Sequence, residues 1–333
     1  MTQRILVFLL LAASLYSCKQ KPPPPQQESI YFSQKIKPFT DAITKDSTKG
    51  DAWYNRGIML HRLKMDSLAL IDFYRAAAID TNKAVYASTI GDLLFEHKDV
   101  DASIQWLMKA LRHDPDDVKA HLKLAKMMLF SKEYKIAIGE VNKVLRKDPY
   151  NAEGYFLKGM VYKEMKDTAK AISSFQTVIN VAPDYRDATI QLGMIYCAKG
   201  SKLGPEYLMS AFRMDTSNVL PLYARGMYFQ QQKDYERAKE EYKSCVLRDP
   251  QYSDAIFATG FILLQQDSFE KARRQFDLVT KVAPTNAVAY YNRGLCSELM
   301  NDKVAAAADY KQALTFDPNY TTAKEGLKRV GGK

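Results

Sequence analysis

The side chains that could do chemistry are four histidines and four cysteines, and their spacing matches no catalytic or metal-binding motif. His113 and His121 flank Asp114, Asp116 and Asp117, a set of side chains that could ligate a metal ion. These residues fall in a polar turn between two predicted helices, where aspartates are common, so we expect no metal site there. The chain also has no GxSxG, HExxH, P-loop or paired CxxC sequence. We therefore expect neither a catalytic centre nor a cofactor.

Cys18 is the cysteine whose surroundings predict a modification. Residues 5–15 form an apolar run, shorter than the roughly 20 residues that span a membrane, and it follows a positively charged start. This arrangement is typical of a secretory signal peptide, here over residues 1–17. Leu15-Tyr16-Ser17-Cys18 resembles the lipobox of bacterial lipoproteins. The resemblance implies that Cys18 becomes a lipidated N-terminus carrying diacylglycerol and palmitate-type acyl chains. The alternative is an ordinary signal peptide followed by a chance cysteine.

The segment over residues 18–29 predicts a tether. It contains four consecutive prolines, Pro22 to Pro25, which adopt extended polyproline II of about 3.1 Å per residue. No later apolar stretch reaches membrane-spanning length, so we expect acyl chains alone to anchor the chain. We expect a lipid-anchored protein of the cell envelope, at the outer membrane, with its body in the periplasm or at the cell surface.

The rest of the chain repeats with a period of 34 residues, and one interval is a residue shorter. Small residues mark the period, and a second series of prolines and threonines keeps the same step. The first series is Gly57, Gly91, Ala125, Gly159, Gly193, Gly226, Gly260 and Gly294. The second is Thr81, Pro115, Pro149, Pro183, Thr216, Pro250, Pro284 and Pro318.

The pattern resembles the tetratricopeptide repeat, W-x2-L-G-x2-Y followed by A-x3-F and a proline. Its first copy shows Trp53, Gly57, Ala69 and Phe73, and we predict eight copies over residues 50–320. The resemblance implies an all-α fold, a right-handed superhelical solenoid of antiparallel helix pairs, in one continuous array. The fifth copy is one residue short, and we expect residues 202–205 in its inter-helix turn.

Such an array needs caps, because each helix pair leaves one apolar face for its neighbour to cover. Residues 30–49 predict an N-terminal helix or degenerate half repeat, which Pro38 would start or kink. Residues 321–333 predict a capping helix and tail. The three cysteines outside the signal region are expected to be buried apolar filler, in preference to a disulfide or a reactive thiol. They are Cys197, Cys245 and Cys296.

The resemblance also implies that the first helix of each repeat lines a concave surface, mainly through positions two, five, nine, twelve and thirteen. Positions five and nine are mostly apolar here, which predicts a groove for an amphipathic helix or an apolar extended segment. Alternatively, position five packs against the neighbouring hairpin, or residues 29–46 fold back into the groove. The predicted groove residues are Tyr54, Ile58, Phe156, Met160, Met194, Tyr223, Met227, Phe257, Phe261, Tyr291 and Leu295.

Three lysines, Lys119, Lys123 and Lys126, share one face of the first helix of the third repeat, because their spacing is i, i+4 and i+7. They form a candidate anion site within the groove. The alternative is that Asp92 and Glu96, on the corresponding helix of the preceding repeat, neutralise them.

The formal net charge of +10 would favour nucleic acid as a partner, but the export signal and the interleaved acidic residues argue against it. We predict a membrane-anchored scaffold or adaptor, with no enzymatic activity, that binds an unidentified protein or peptide in the apolar groove. The alternative is a chaperone-like or carrier lipoprotein that binds many clients.

Overall fold

The computed structural model describes residues 30–331, which form 18 α-helices and no strand. The all-α, helical-repeat fold predicted from the sequence is confirmed. The chain divides into two units between Met127 and Met128, inside the third repeat, although the repeat register of the sequence continues through this point. The predicted signal peptide, Cys18 and the tether lie outside the described residues.

Helices α2 to α17 form eight repeats of two helices each, and α1 and α18 lie at the ends of the series. The helices are α1 Ile30–Lys45, α2 Gly50–Arg62, α3 Asp66–Ile79, α4 Ala84–Glu96, α5 Val100–His113, α6 Val118–Phe130, α7 Tyr134–Lys147, α8 Ala152–Glu164, α9 Thr168–Val181, α10 Arg186–Ala198, α11 Leu203–Met214, α12 Leu220–Gln231, α13 Tyr235–Arg248, α14 Ser253–Gln265, α15 Phe269–Val282, α16 Ala287–Leu299, α17 Lys303–Phe316 and α18 Thr321–Arg329.

The turn inside every repeat uses a residue with positive φ at the fifteenth position. This conformation lets the next amide bond back to the helix, as when Met65 N donates to Leu60 O at 2.9 Å. Only the fifth repeat has glycine at this position, although positive φ costs more free energy for residues that carry a Cβ than for glycine. The eight residues are Lys64, Lys98, Lys132, Lys166, Gly200, Lys233, Asp267 and Asn301.

The small residue at position eight lets the two helices of a repeat approach closely. A Cβ on Gly226 would lie 2.4 Å from the ring of Tyr242, closer than van der Waals contact allows. In the second repeat, Ser103 replaces the usual alanine at position twenty. Its buried hydroxyl donates to the carbonyl of Gly91, so the extra polar atom is satisfied.

Residues 202–205 were expected in the inter-helix turn of the fifth repeat, and this expectation is wrong for three of them. Leu203, Gly204 and Pro205 form the first turn of α11. Proline is compatible with a first helical turn, where its missing N–H has no helical partner to lose. A Cβ on Gly204 would lie 2.5 Å from the amide nitrogen of Cys197, so only glycine fits this close approach.

The end helices pack on the repeats next to them. Within α1, Ile43 is buried and Ile36 packs against an apolar cluster shared by the first and second repeats. Pro38 lies inside α1 and does not start it. At the other end, Arg329 of α18 donates to the carboxylate of Glu298 at 2.8 Å, and Tyr310 donates to the same carboxylate.

The three cysteines that the structure describes are buried and unpaired, as predicted. Burial raises the pKa of Cys197 to about 11 and the pKa of Cys245 and of Cys296 to about 12. Because the thiolate is the nucleophilic form, these thiols are unreactive near neutral pH.

Candidate partner-binding groove

Four of the predicted groove residues line one cavity of about 520 Å³ in the second unit. Tyr223 and Met227 stand four residues apart on α12, and Phe257 and Phe261 stand four residues apart on α14. Residues with this spacing lie on the same face of a helix, one turn apart. Met227 is 52% exposed and Phe261 is 38% exposed, so both present apolar surface to solvent at the cavity. We call this cavity the Met227–Phe261 pocket.

The polar lining of the Met227–Phe261 pocket consists of glutamines, tyrosines and a lysine. Gln230, Gln231, Gln265 and Lys233 contribute side chains, and no acidic residue lines the cavity. The amide oxygen of Gln230 accepts a hydrogen bond from the hydroxyl of Tyr242 at 2.7 Å. A neutral amide carries both donors and an acceptor, which suits the main chain of a peptide.

Position-five side chains pack inside their own repeat and also against the tyrosine that precedes the next first helix; the second contact is the kind that the alternative interpretation proposed, packing towards the neighbouring hairpin. The ring of Tyr223 lies 5.7 Å from that of Tyr242 in its own repeat and 5.4 Å from that of Tyr252 before the next helix. Phe156 makes the same two kinds of contact, at 5.7 Å to Phe175 and 5.1 Å to Tyr185. The pocket wall is therefore held by the packing of the repeat.

The repeat pattern does not identify the tyrosine that packs against the position-five ring, although the sequence carries a signal for it. In three repeats a tyrosine follows the turn proline by two residues and ends the repeat. These tyrosines are Tyr185, Tyr252 and Tyr320, and each lies within 5.4 Å of a position-five ring. A Pro-x-Tyr sequence before a first helix therefore marks this contact.

The phenols around the pocket remain protonated at neutral pH. Burial raises the pKa of Tyr223, and burial with the nearby Asp254 raises the pKa of Tyr252 to about 12. Burial likewise raises the pKa of Tyr242. Apart from Lys233, the lining of the pocket thus carries no charge near neutral pH.

The other predicted groove residues do not line this pocket. In the second unit, Phe156 and Met160 pack beside Phe175, and Met194 packs against an apolar cluster that spans the fifth to seventh repeats. Tyr291 packs its ring on Tyr310 at 5.7 Å. Leu295 is half-buried.

In the first unit, the side chains of Tyr54 and Ile58 pack against an apolar cluster shared by the first and second repeats. The hydroxyl of Tyr54 also lies 3.1 Å from the hydroxyl of Thr89. These two predicted groove residues therefore contribute to the packing of consecutive repeats.

The lysine cluster is partly neutralised. Lys123 Nζ lies 2.5 Å from a carboxylate oxygen of Asp92, as the alternative to an anion site proposed. Glu96 was the second expected partner, but its carboxylate lies 4.0 Å from the ring of His61. Lys119 and Lys126 are exposed.

Neither a metal cluster nor a membrane-spanning helix is found in residues 30–331. No group of three or more His, Cys, Asp or Glu there could hold a metal ion. His121, which the sequence placed in a candidate cluster, is buried, and its Nε2 lies 2.8 Å from the carbonyl of Pro115. No helix in this range is long and apolar enough to cross a membrane.

Family models described as tetratricopeptide repeat match residues 152–185, 229–292 and 287–320. The chain is 23% identical over 224 residues to anaphase-promoting complex subunit 3 of Schizosaccharomyces pombe, covering 67% of this chain and 34% of that protein. It is 20% identical over 273 residues to the human protein O-mannosyl-transferase TMTC3, covering 75% of this chain and 30% of that protein. The chain thus spans about a third of the length of these curated relatives.

Among solved structures, the C-terminal part of a TPR repeat-containing protein from Cytophaga hutchinsonii has a similar fold, with a TM-score of 0.57 and 18% identity. The match covers 71% of this chain and 98% of that one. The fold, the repeat register and the matching models together make this chain a tetratricopeptide-repeat protein. Its repeats and relatives support a general role as a scaffold for protein–protein interaction.

Proposed function

We propose that this chain is a membrane-anchored scaffold that binds an apolar segment of a partner protein in the Met227–Phe261 pocket. The observation that carries the proposal is the pair of exposed apolar side chains, Met227 and Phe261, at a cavity of about 520 Å³. Covering exposed apolar surface is favourable by about 25 cal/mol per Å². A partner side chain that enters the cavity gains this burial without a large rearrangement of the repeats.

The lining of the pocket defines the chemistry of the partner. An apolar side chain fits between Met227 and Phe261, and the amides of Gln231 and Gln265 are placed to bond a peptide main chain. A basic side chain is disfavoured because the cavity offers no acidic residue to pair with it, and Lys233, the one charged residue of the lining, would repel it. The proposed ligand is a peptide segment with a bulky apolar residue.

The proposed anchor is a lipid on Cys18. Its support is the sequence around this residue, a charged start, an apolar run and a lipobox-like Leu15-Tyr16-Ser17-Cys18. Mass spectrometry of the mature N-terminus tests it. A peptide that begins at Cys18 and carries acyl chains is the expected result, and an unmodified Cys18 contradicts the anchor.

We assign no catalytic activity to the pocket. Its lining side chains are methionine, phenylalanine, tyrosine, alanine, glutamine and lysine, and no acid or histidine lines the cavity with the lysine for general acid–base chemistry. The O-mannosyl-transferase activity in the name of one relative belongs to a protein of which this chain matches 30%.

A chaperone-like or carrier role is the second candidate, and the exposed Met227 favours it. The flexible, polarisable thioether adapts to irregular surfaces and suits promiscuous binding. Chemical crosslinking in cells followed by purification separates the two functions. One stoichiometric partner supports the scaffold, whereas a broad set of clients supports the carrier.

Two variants make that experiment specific to the pocket. Met227→Glu places a charge at the cavity, and Leu278→Glu places one at a similarly exposed apolar residue, 44% exposed, on the second helix of the seventh repeat. Capture that is lost in the first variant and kept in the second supports binding in the pocket. Equal capture by both variants contradicts it.

A further inference from the structure

Helix α3 is apolar on the side that faces solvent as well as on the side that packs. Ala69 and Phe73 are fully buried. On the opposite side, Leu68 is 45% exposed, Ile71 is 55% exposed and Tyr74 is 37% exposed. A helix that is apolar all round is normally covered on all sides. The outer side of α3 is therefore only partly covered within the described chain.

Other repeats show what this side normally carries. Leu68, Ile71 and Tyr74 occupy repeat positions nineteen, twenty-two and twenty-five, and no other repeat has large apolar side chains at all three positions. In the sixth and seventh repeats the same positions are charged. The charged residues are Arg237, Glu240, Lys243, Lys271, Arg274 and Asp277.

The neighbouring second helix, α5, extends the apolar side of α3. The ring of Trp106 lies 5.5 Å from the ring of Tyr74, which joins the two helices. Lys109 Nζ lies 4.6 Å from the centre of the Trp106 ring. We call the surface formed by Leu68, Ile71, Tyr74 and Trp106 the α3–α5 face.

The charges beside this face are mainly basic. Arg75 and Arg112 are exposed, and Lys109 lies over Trp106. Among the acidic residues of these helices, Asp72 accepts two hydrogen bonds from Arg56, at 2.6 and 2.8 Å. Asp99 accepts a hydrogen bond from the Ala102 amide at the start of α5 and keeps its negative charge: burial and this charge together raise the pKa of Tyr74. Asp101 of α5 is exposed. The three basic residues outnumber these two acidic ones, Asp99 and Asp101, so the border has a small excess of positive charge, which attracts an anionic surface.

We propose that the α3–α5 face lies on an anionic lipid surface, with its apolar side chains at the level of the headgroups. Tyrosine and tryptophan next to lysine or arginine favour the membrane interface, since their rings are apolar with one polar atom. Each basic residue near an anionic leaflet adds to the attraction. This proposal rests on the membrane location in the proposed function and adds the surface by which the body contacts the membrane.

The position of the proposed anchor agrees with this orientation. Helix α1 begins at Ile30, twelve residues after Cys18, a separation that an extended chain spans in at most about 40 Å. Because α1 packs against the cluster shared by the first and second repeats, an anchored chain keeps these repeats within reach of the bilayer. A second copy of the chain fits the face less well, because a twofold contact would bring the same arginines together.

Vesicle binding by a chain that lacks the lipid tests the face separately from the anchor. The chain from residue 18 onward, with Cys18→Ser, is sedimented with vesicles of equal parts phosphatidylglycerol and phosphatidylethanolamine, and with pure phosphatidylcholine vesicles. We expect binding to the anionic vesicles that weakens with added salt. We expect Ile71→Glu to lower the partition coefficient about tenfold, which corresponds to about 1.4 kcal/mol.

Leu278→Glu, in the second unit, is the matched control and should bind like the parent chain. Both variants change exposed residues, so their thermal unfolding should match that of the parent. The proposal is overturned by a parent chain that does not bind anionic vesicles, or by an Ile71→Glu chain that binds as well as the parent. A dimer in sedimentation velocity that Ile71→Glu dissociates, without vesicle binding, overturns it in favour of a second copy. A lipidated Cys18 with no vesicle binding leaves the anchor standing and removes only the α3–α5 face.

Discussion

The rings of Tyr223 and Tyr242 lie 5.7 Å apart, so a side chain that forms the wall of the Met227–Phe261 pocket is also packed inside the sixth repeat. Its outer neighbour Met227 is half exposed. Repeat packing fixes the wall of the pocket before a ligand binds. Binding therefore costs less free energy, because the site does not have to be ordered first. Changes in the packing of this repeat should therefore act on the pocket through the tyrosines.

Gly226→Ala should destabilise the sixth repeat. The new Cβ would lie 2.4 Å from the Tyr242 ring, and relieving this overlap requires the ring or the helices to move. Overpacking of this kind costs about 1–3 kcal/mol. Urea denaturation measures the cost as a lower midpoint.

Gly139→Ala is the control for that variant. Gly139 lies inside α7 and is exposed, and beyond the adjacent residues and the backbone of its own helix no atom would lie within 4 Å of an added Cβ. Here alanine should raise the free energy of unfolding by about 0.5–1 kcal/mol, since glycine loses more conformational entropy in a helix. A similar loss of stability in both variants would show that the close approach at Gly226 is not responsible.

Lowering the pH should weaken the attachment of α18. Hydrogen bonds from Arg329 and from Tyr310 lower the pKa of Glu298 below its ordinary value of 4.5. A carboxylate with a lowered folded-state pKa stabilises the fold fully above its unfolded-state pKa, and this stability is lost as the pH falls through the folded-state pKa. We expect amide exchange in α18 to accelerate as the pH falls below about 4.5, after correction for the intrinsic exchange rate.

Glu298→Gln should remove most of this pH dependence and make α18 exchange faster already at neutral pH. Glu164→Gln, at an exposed glutamate of α8, is the control and should leave α18 unchanged. If the pH profile of α18 is the same in the parent and in Glu298→Gln, another group controls the C-terminal cap.

The three cysteines of the second unit should resist alkylation in the folded chain. Each is buried, and burial raises their pKa values to about 11 or 12, so little thiolate exists at pH 8. In a chain with Cys18→Ser, mass spectrometry should find no alkylation after mild treatment and three modified thiols after denaturation. Met165→Cys adds a thiol at a 46% exposed residue and should react at once. Rapid alkylation of the native cysteines would show that these repeats open readily.

The sequence predicts the helix pairs well because the spacing of small residues such as Gly57 and Gly91 reflects a geometric need at every helix crossing. It does not predict the turn residues, since Lys64 adopts positive φ without any preference of lysine for that conformation. The helical start at Leu203 was missed because Pro205 indicates a turn as readily as a first helical turn.

For the groove, the sequence identifies which side chains share a face of a helix. The structure adds the fraction of each side chain that its neighbours leave exposed to solvent. Tyr54 and Met227 both occupy predicted groove positions, yet only Met227 lines the pocket. Met160 and Met194 occupy the same repeat position as Met227 but pack against apolar clusters. Exposure at these positions depends on side-chain volumes in adjacent repeats, which periodicity alone does not contain.

Site-specific photocrosslinking in cells tests the central proposal most directly. A photoreactive amino acid at position 227, in place of Met227, lies at the pocket, and one at position 278, in place of Leu278, lies on the second helix of the seventh repeat at similar exposure. The proposed function predicts a discrete crosslinked protein from position 227, joined through a peptide with a bulky apolar residue, and none from position 278. The same products from both positions, or only an internal crosslink from position 227 to residues 29–46, would contradict binding of an external partner in the pocket.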